Sequence, residues 1–183
     1  MSAQTRRQPW GTQVIKQIKY NGIGGNSQMK KFELTTESIE TVSGEKLFRI
    51  KALVSFDAVE AGELGGYVEK EENLSHEGNA WVYGNARVYG NAQVCGDADI
   101  YDNSQKSSVD GFGSENRTTT FFREKSGGVG VKCGCFYGTL DEFREKVRKT
   151  HGDSEIAQEY LAIADVEERR FKRVAKKGDS RCI

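Results

Sequence analysis

Residues 77–104 have the sequence EGNAWV-YGNARV-YGNAQV-CGDADI-YDNS, in which one pattern recurs every six residues. An aliphatic residue holds the same place in each hexad, and a small residue follows it four positions later. Gly, Asn and Asp stand between the hexads, and these residues tolerate the positive φ of a tight corner. The aliphatic positions are Val82, Val88, Val94 and Ile100, and the small positions are Ala80, Ala86, Ala92, Ala98 and Ser104. This stretch, called the repeat segment below, is predicted to turn every six residues.

Short strands that alternate with corners, with one buried aliphatic residue on each side, describe a triangular β-solenoid. The pattern resembles the left-handed parallel β-helix of the hexapeptide-repeat family, which has three hexads in each coil. The resemblance implies that Tyr83 lies beneath Tyr101 on one face, that Tyr89 lies on the second face and that Cys95 lies on the third. The family is best known for acyltransferases that use a histidine between subunits, and the histidines of this chain are His76 and His151.

The clear hexads form fewer than two coils, whereas stacked repeats need about three units to be stable alone. The repeat segment is therefore predicted to be buttressed. Either the flanking segments or another copy of the chain would cover it.

The flanking segments predict an α+β fold around the repeat segment. A β-hairpin is expected where FELTTESIETV and KLFRIKALVSF are joined by Ser43-Gly44-Glu45. A second hairpin is expected from RTTTFFRE and VGVKCGCFYG. The capping box Thr139-Leu-Asp-Glu142 then starts a helix that ends near Gly152, and Asp153 or Ser154 caps a second helix. The predicted order is an N-terminal β-hairpin, a short left-handed β-helix, a C-terminal β-hairpin and two helices.

Three regions are expected along the chain. Residues 1–28 form a basic arm, either flexible or an upstream extension of the compact part. Residues 29–108 form the hairpin and the short β-solenoid, and residues 109–183 form a ββαα domain with a basic C-terminal tail.

The net charge is zero, but it is distributed unevenly. Residues 1–31 hold six basic residues and no acidic residue, residues 32–105 have a balance of −9, and residues 106–183 have a balance of +3. Such asymmetry is typical of a protein that meets nucleic acid with its basic ends or a basic protein groove with its acidic middle. Solvated surfaces without a partner are the alternative.

No apolar run reaches the ~18 residues of a membrane span, and the N-terminus lacks the apolar core of a signal peptide. The sequence therefore predicts a cytoplasmic protein, without a membrane partner and with free thiols. Cys133-Gly-Cys135 has only His151 as a further metal ligand nearby, so no metal site and no cofactor are predicted.

No catalytic arrangement stands out in the sequence, and binding is better supported. The outward positions of the repeat segment would display aromatic and arginine side chains, which are enriched at protein–protein hot spots. The predicted partner-binding residues are Trp81, Tyr83, Arg87, Tyr89 and Tyr101. The alternative is that these aromatic residues only cover the sides of the repeat segment. Basic residues that could bind the phosphates of double-stranded DNA are Arg6, Arg7, Lys16, Lys19, Arg169, Arg170, Lys172 and Arg173.

A second resemblance covers roughly residues 29–165. The combination of GELGGYVEKEENLS, the GNAWVYGNARVYGNA repeat, TTTFFRE, GVKCGCFYGTLDEF and KTHGDS is similar to small accessory proteins of phages and prophages. Such proteins often antagonise bacterial immunity, and anti-CRISPR proteins among them occupy nuclease surfaces. The resemblance implies a non-enzymatic inhibitor that binds a host defence protein such as a Cas9-type nuclease, and DNA as a second partner. Alternatives are a self-assembling structural β-solenoid or homo-oligomer, a hexapeptide-type acyltransferase and a sponge for nucleotide second messengers.

Overall fold

The computed structural model describes residues 29–179, with side chains described as far as Val174. The predicted arm over residues 1–28, which includes Arg6, Arg7, Lys16 and Lys19, lies outside the described residues. Within 29–179 the chain is a mixed α+β structure with three sheets, and two helices follow the last strand. No helix in this described part is long and apolar enough to cross a membrane.

The predicted N-terminal hairpin is confirmed. Strand β1 (Phe32–Glu40) pairs antiparallel with β2 (Lys46–Ala52), and Gly44 takes the positive φ of +95° in the connecting turn. Strand β3 (Leu64–Val68) pairs antiparallel with the other edge of β2. The hairpin is thus joined to the chain that enters the repeat segment.

Three strands of two residues each follow in the repeat segment: β4 (Trp81–Val82), β5 (Arg87–Val88) and β6 (Asp99–Ile100). Strand β5 pairs in parallel with β3, β6 pairs in parallel with β4, and a parallel bridge joins Leu74 to Val94. Parallel pairs between nearby short strands arise when a chain coils and stacks on itself. This pairing agrees with the predicted coiling, while closure into a left-handed β-helix stays a prediction.

The spacing of these pairs changes along the segment. Strands β3 and β5 pair residues that are twenty positions apart, and β4 and β6 pair residues that are eighteen apart. Leu74 pairs with Val94 at the spacing of twenty residues. From Asn79 on the spacing is eighteen residues, and Asn79 N donates to Gly96 O at 2.8 Å. The first turn therefore has two extra residues in the corner at residues 75–77, where His76 falls outside the hexad register.

The predicted C-terminal hairpin is wrong in extent, because the region forms a four-stranded antiparallel sheet. Its strands are β7 (Lys106–Phe112), β8 (Arg117–Arg123), β9 (Val129–Cys133) and β10 (Phe136–Thr139), in the order β10-β9-β8-β7. The stretch VGVKCGCFYG turns back at Gly134, whose φ is +57°, and so supplies two strands. Strand β7 crosses the predicted boundary between residues 108 and 109.

The two predicted helices are present. In the capping box, Thr139 Oγ1 accepts from Glu142 N at 3.3 Å, and Thr139 N donates to Glu142 Oε2 at 2.8 Å. Helix α1 (Leu140–His151) ends at Gly152, and α2 (Glu155–Asp179) follows. Ser154 caps α2 through its hydroxyl, which accepts from the backbone N of Ala157 at 3.3 Å.

Two hydrophobic cores result. The first core lies inside the repeat segment and contains all of its predicted aliphatic residues. It continues into the N-terminal hairpin through Phe32 and Ile50. Phe122 of β8 enters the same core, and Gln93 N donates to Thr120 Oγ1 at 3.1 Å. The second core joins the C-terminal sheet to both helices. The repeat segment is therefore covered by the hairpin and by β8, as the need for a buttress predicted.

Candidate protein-interaction surface

Two tyrosines on the outside of the repeat segment stack on each other. The rings of Tyr83 and Tyr101 have centroids 4.4 Å apart and planes that differ by 9°. Tyr83 N donates to Ile100 O at 2.8 Å, so the pairing of adjacent turns sets the ring spacing. Tyr101 is 56% exposed, and its side chain is therefore available for contact with a partner. The predicted proximity of these two tyrosines is confirmed.

An acidic cleft of about 380 Å³ adjoins the tyrosine pair, because Asp99 lines the cleft and lies close enough to Tyr83 to affect the pKa of its hydroxyl. Four carboxylates and one lysine line it, and they come from the loop after β2, from the repeat segment and from the end of β8. Asn79 Nδ2 donates to Asp97 Oδ1 at 3.0 Å and orders one wall. The lining residues are Asp57, Asn79, Asp97, Asp99, Glu124, Lys125 and Ser126.

The charges in the cleft are coupled. Burial raises the pKa of Asp99, with Lys125 opposing the rise and Asp57 adding to it. Burial, followed by the charge of Asp99, raises the pKa of Tyr83 well above its usual value, so this hydroxyl stays neutral. Lys125 forms an ion pair with Asp57, which lowers the pKa of Asp57 and raises that of Lys125. One lysine among four carboxylates leaves the cleft negative.

We call Tyr83, Tyr101, Asp57, Asp97 and Asp99 the acidic-aromatic surface. The sequence predicted its tyrosines but missed its carboxylates. Their signal was the acidic balance of residues 32–105, which gives no position in space. The carboxylates come together only when the loop that holds Asp57 packs beside the repeat segment.

The prediction that Trp81 is displayed for a partner is wrong. Trp81 is 0% exposed. Its ring meets Phe56 edge-on at 5.5 Å and Phe32 edge-on at 6.4 Å, and both residues lie outside the repeat segment. The outward position of Trp81 in the hexad is thus covered by the N-terminal hairpin and the loop that follows it.

The remaining two predicted contact residues have other neighbours. Lys106 Nζ lies 4.8 Å from the centroid of the Tyr89 ring, which is 39% exposed. Arg87 is half-buried, and its backbone N donates to Asn103 Oδ1 at 2.8 Å. The structure therefore brings together Tyr83 and Tyr101, and it places Tyr89 against a lysine.

The four basic residues predicted on α2 are not equivalent. Arg170 Nη2 donates to Lys106 O at 2.8 Å, and its guanidinium packs 5.0 Å from the Phe171 ring, so Arg170 is already engaged within the chain. Lys172 Nζ pairs with Glu168 Oε1 at 2.7 Å. Arg169 and Arg173 are exposed and, being four residues apart, lie on one face of the helix.

A groove of about 680 Å³ is lined by the corner that holds the two extra residues at 75–77 and by residues 93–96 of the next turn. His76 lines it. Its Nδ1 accepts from Lys31 N at 3.1 Å, its ring stacks on Phe32, and its Nε2 lies 3.7 Å from Glu71 Oε2. The sequence marked this place only as a break in the hexad register.

Cys133, Cys135 and His151 line one cavity of about 200 Å³. Among residues 29–179, no group of three or more histidine, cysteine, aspartate or glutamate side chains is arranged to hold a metal ion. Cys182 lies outside the described residues.

Comparison with known proteins adds no relative, because no protein-family model and no curated protein matches the chain.

Proposed function

We propose that the protein is a non-enzymatic inhibitor of bacterial immunity, encoded by a phage or another mobile element and acting in the host cytoplasm. It binds a basic surface of a host defence protein such as a Cas9-type nuclease. The observation that carries the proposal is the stack of half-buried Tyr83 on exposed Tyr101, beside a cleft with four carboxylates. The phage origin rests on the resemblance of residues 29–165 given above.

The chemistry of the acidic-aromatic surface fits arginine-rich partners. A guanidinium can stack on a tyrosine ring and bind a carboxylate with two parallel hydrogen bonds. Tyrosine is also enriched among residues that dominate binding energy. Nucleases carry such cationic side chains where they hold nucleic-acid phosphates. A rigid set of carboxylates on this protein would compete for those side chains.

The contacts of both histidines support a binding role over a catalytic one. His76 uses Nδ1 as an acceptor for Lys31 N, so that nitrogen is not free to take a substrate proton. His151 stacks on Tyr160, with ring centroids 5.9 Å apart, at the end of α1. Each histidine is thus engaged with its own chain.

The repeat segment is proposed to be a two-coil left-handed β-helix that serves as the rigid support of this surface. Its eighteen-residue register places Asn79 against Asp97 and Tyr83 against Tyr101. Side chains that belong to adjacent coils therefore stack in rows. A partner would meet a surface whose side chains are already ordered, which reduces the entropy lost on binding.

Double-stranded DNA is a second candidate partner, favoured by the exposed pair Arg169 and Arg173 on one face of α2. Binding there would involve few phosphates, so its affinity would be low and would fall steeply with salt.

End-to-end self-assembly is less well supported. Strand β2 pairs with β3 at one end of the stack and Glu124 bridges to Ala98 at the other, so parts of both ends at which further coils would stack are already covered.

The test is a pull-down with the full-length protein as bait, from a lysate that contains a Cas9–guide complex, at low and at high salt. Duplex DNA alone is the parallel prey. Tyr101→Ala and Asp99→Asn change the acidic-aromatic surface, and Glu60→Gln, at an exposed carboxylate elsewhere, is the matched control. We expect the wild type and Glu60→Gln to retain the nuclease at high salt, and the other two variants to lose most of it.

Each other outcome has a definite meaning. Retention of DNA alone, and only at low salt, would replace the proposal by weak DNA binding through α2. Equal retention of the nuclease by Tyr101→Ala and Asp99→Asn would move the contact away from the acidic-aromatic surface. Retention of neither prey would reject this nuclease as the partner.

A further inference from the structure

Two cysteines occupy the tip of the hairpin formed by β9 and β10. Cys133 is the last residue of β9 and pairs with Phe136, so Gly134 and Cys135 are the two turn residues between them. Gly134 has a φ of +57°, and Cys135 is not among the described non-glycine residues with positive φ. This is the pattern of a type II′ turn, which holds the hairpin in one register.

The turn keeps the two cysteines within the reach of a covalent bond. Two successive residues span at most ~7 Å when extended and less inside a turn. The Cα atoms of a disulfide are ~4.4–6.8 Å apart. Both cysteines also line the same 200 Å³ cavity, which lies between the hairpin tip, the end of α1 and Tyr160 of α2. The side chains thus share one space.

The two thiols differ in accessibility. Cys135 is exposed, whereas Cys133 is half-buried and its Sγ accepts a hydrogen bond from Thr119 Oγ1 at 3.2 Å. Burial, followed by the neighbouring Cys133 thiol, raises the pKa of Tyr160, so this hydroxyl stays protonated beside the sulfur. Cys135 can therefore react with a reagent from solvent, and the less accessible Cys133 can react with it afterwards.

The surroundings of the turn are mainly cationic. Arg117 packs against the turn so closely that a Cβ on Gly134 would lie 2.8 Å from its Nη1. Lys146 and His151 line the same cavity, and Glu115, which pairs with Arg117 at 3.5 Å, is its one acidic lining residue.

We propose that Cys133 and Cys135 form a dithiol site that exchanges with small disulfides of the glutathione class and closes into a reversible disulfide. This site is independent of the acidic-aromatic surface and of the function proposed for it. The partly exposed turn, with one outer and one inner thiol over a shared cavity, is the arrangement that supports it.

The exchange proceeds in two steps that conserve atoms and electrons. Cys135 loses its proton, its sulfur attacks one sulfur of the small disulfide, and the other half leaves as a thiolate that takes up a proton. Cys133 then loses its proton, its sulfur attacks the Cys135 sulfur, and the second half leaves as a thiolate that takes up a proton. The protein dithiol is oxidised by two electrons, and one small disulfide is reduced to two thiols.

The test uses reduced full-length protein incubated with oxidised glutathione, quenched with acid, alkylated and analysed by intact mass and peptide mapping. In the wild type we expect loss of two hydrogens and a disulfide that links Cys133 to Cys135. Cys133→Ser should stop at a glutathione adduct on Cys135. Cys135→Ser should react at Cys133 at least about tenfold more slowly, because that thiol is less accessible.

Cys95→Ser is the matched control, since Cys95 is a half-buried cysteine outside this cavity, and its oxidation pattern should equal that of the wild type. Circular dichroism of each variant confirms the fold, and alanine replaces serine where the helical signal is lost. A wild-type protein that stops at glutathione adducts would overturn the proposal. A disulfide from either cysteine to Cys95 or Cys182, or only between chains, would overturn it as well.

Discussion

The hydroxyl of Tyr137 lies directly over Gly96 and joins the C-terminal sheet to a corner of the repeat segment. A Cβ at Gly96 would overlap this hydroxyl, and the φ of Gly96 is +70°. Gly96→Ala should therefore lower the free energy of unfolding by about 3 kcal/mol, about 1 from the backbone and about 2 from the overlap. Denaturant unfolding measures this change.

Gly84→Ala separates the two causes. Gly84 has a φ of +54°, but a Cβ there meets no atom within 4 Å, so only the backbone cost of about 1 kcal/mol is expected. Combining Tyr137→Ala with Gly96→Ala should lower the free energy of unfolding by about 1–2 kcal/mol less than the sum of the two single changes. Equal losses for the two glycine variants would contradict the role of Tyr137.

The buried amine of Lys31 should give stability a distinctive pH dependence. Its Nζ donates to Ala80 O at 2.8 Å and to Gly78 O at 3.2 Å, and burial lowers the pKa of Lys31 to about 8. Above that pH the unfolded chain binds more protons at this amine than the folded chain does, so the free energy of unfolding should rise with pH.

The useful window is pH 8 to 9. At higher pH the slope is opposed by Cys95, because burial raises the pKa of its thiol to about 11 and the folded chain then keeps a proton that the unfolded chain loses. Lys31→Met should reduce the rise within the window, as measured by urea unfolding at several pH values. Burial also lowers the pKa of Lys106, which contributes the remainder of the rise. A rise of the same size in Lys31→Met would assign it to another group.

Residue positions show where sequence reasoning succeeds and where it stops. The stacking of Tyr83 on Tyr101 agrees with what the resemblance to a coil of three hexads implies. The burial of Trp81 does not, since Phe32 and Phe56 cover it from outside the repeat. A local pattern specifies neighbours along one coil but not the segment that packs against it.

At the scale of elements, the capping box of α1 gives a direct test. Thr139→Ala removes the side-chain acceptor for Glu142 N and should cost about 1 kcal/mol of unfolding free energy. Thr150→Ala, at an exposed position near the other end of the same helix, should change stability by less than about 0.5 kcal/mol. Thermal and denaturant unfolding of both variants check this, and equal losses would argue against the cap.

The elements also differ in how well the sequence predicts them. The capping box and the hairpin of β1 and β2 have local signals, namely cap residues and a glycine turn. Strand β7 has no local sequence signal, because its sequence KSSVDGF is mostly polar. It forms a strand because it pairs with β8. The sequence pattern predicts one strand at VGVKCGCFYG, whereas Gly134 and Cys135 form a turn between two strands.

At the scale of the whole molecule, the two cores should unfold together. Phe122 of the C-terminal sheet is fully buried in the core of the repeat segment, and an antiparallel bridge joins Ala98 to Glu124. Phe122→Ala should cost about 3–5 kcal/mol and weaken both parts at once. Trp81 reports the first core by fluorescence, and circular dichroism at helical wavelengths reports the second.

Trp10→Phe provides the background for that experiment, since it leaves Trp81 as the single tryptophan. Coincident transitions by the two probes, both shifted by Phe122→Ala, are expected for one cooperative unit. Separate midpoints would mean that the parts fold independently, and the acidic cleft, which needs Glu124 beside Asp97, would then open before global unfolding.

As the proposed left-handed β-helix, the repeat segment would be a spacer of adjustable length. Adjacent parallel strands lie ~4.8 Å apart, so one further turn of eighteen residues would move the C-terminal sheet by that distance along the stack and keep its orientation. Homologous chains could therefore differ, in steps of one turn, in the distance between the N-terminal hairpin and the C-terminal sheet, while both of these elements stay unchanged. Insertions of other lengths would have to be absorbed in a corner, as the two extra residues at 75–77 are.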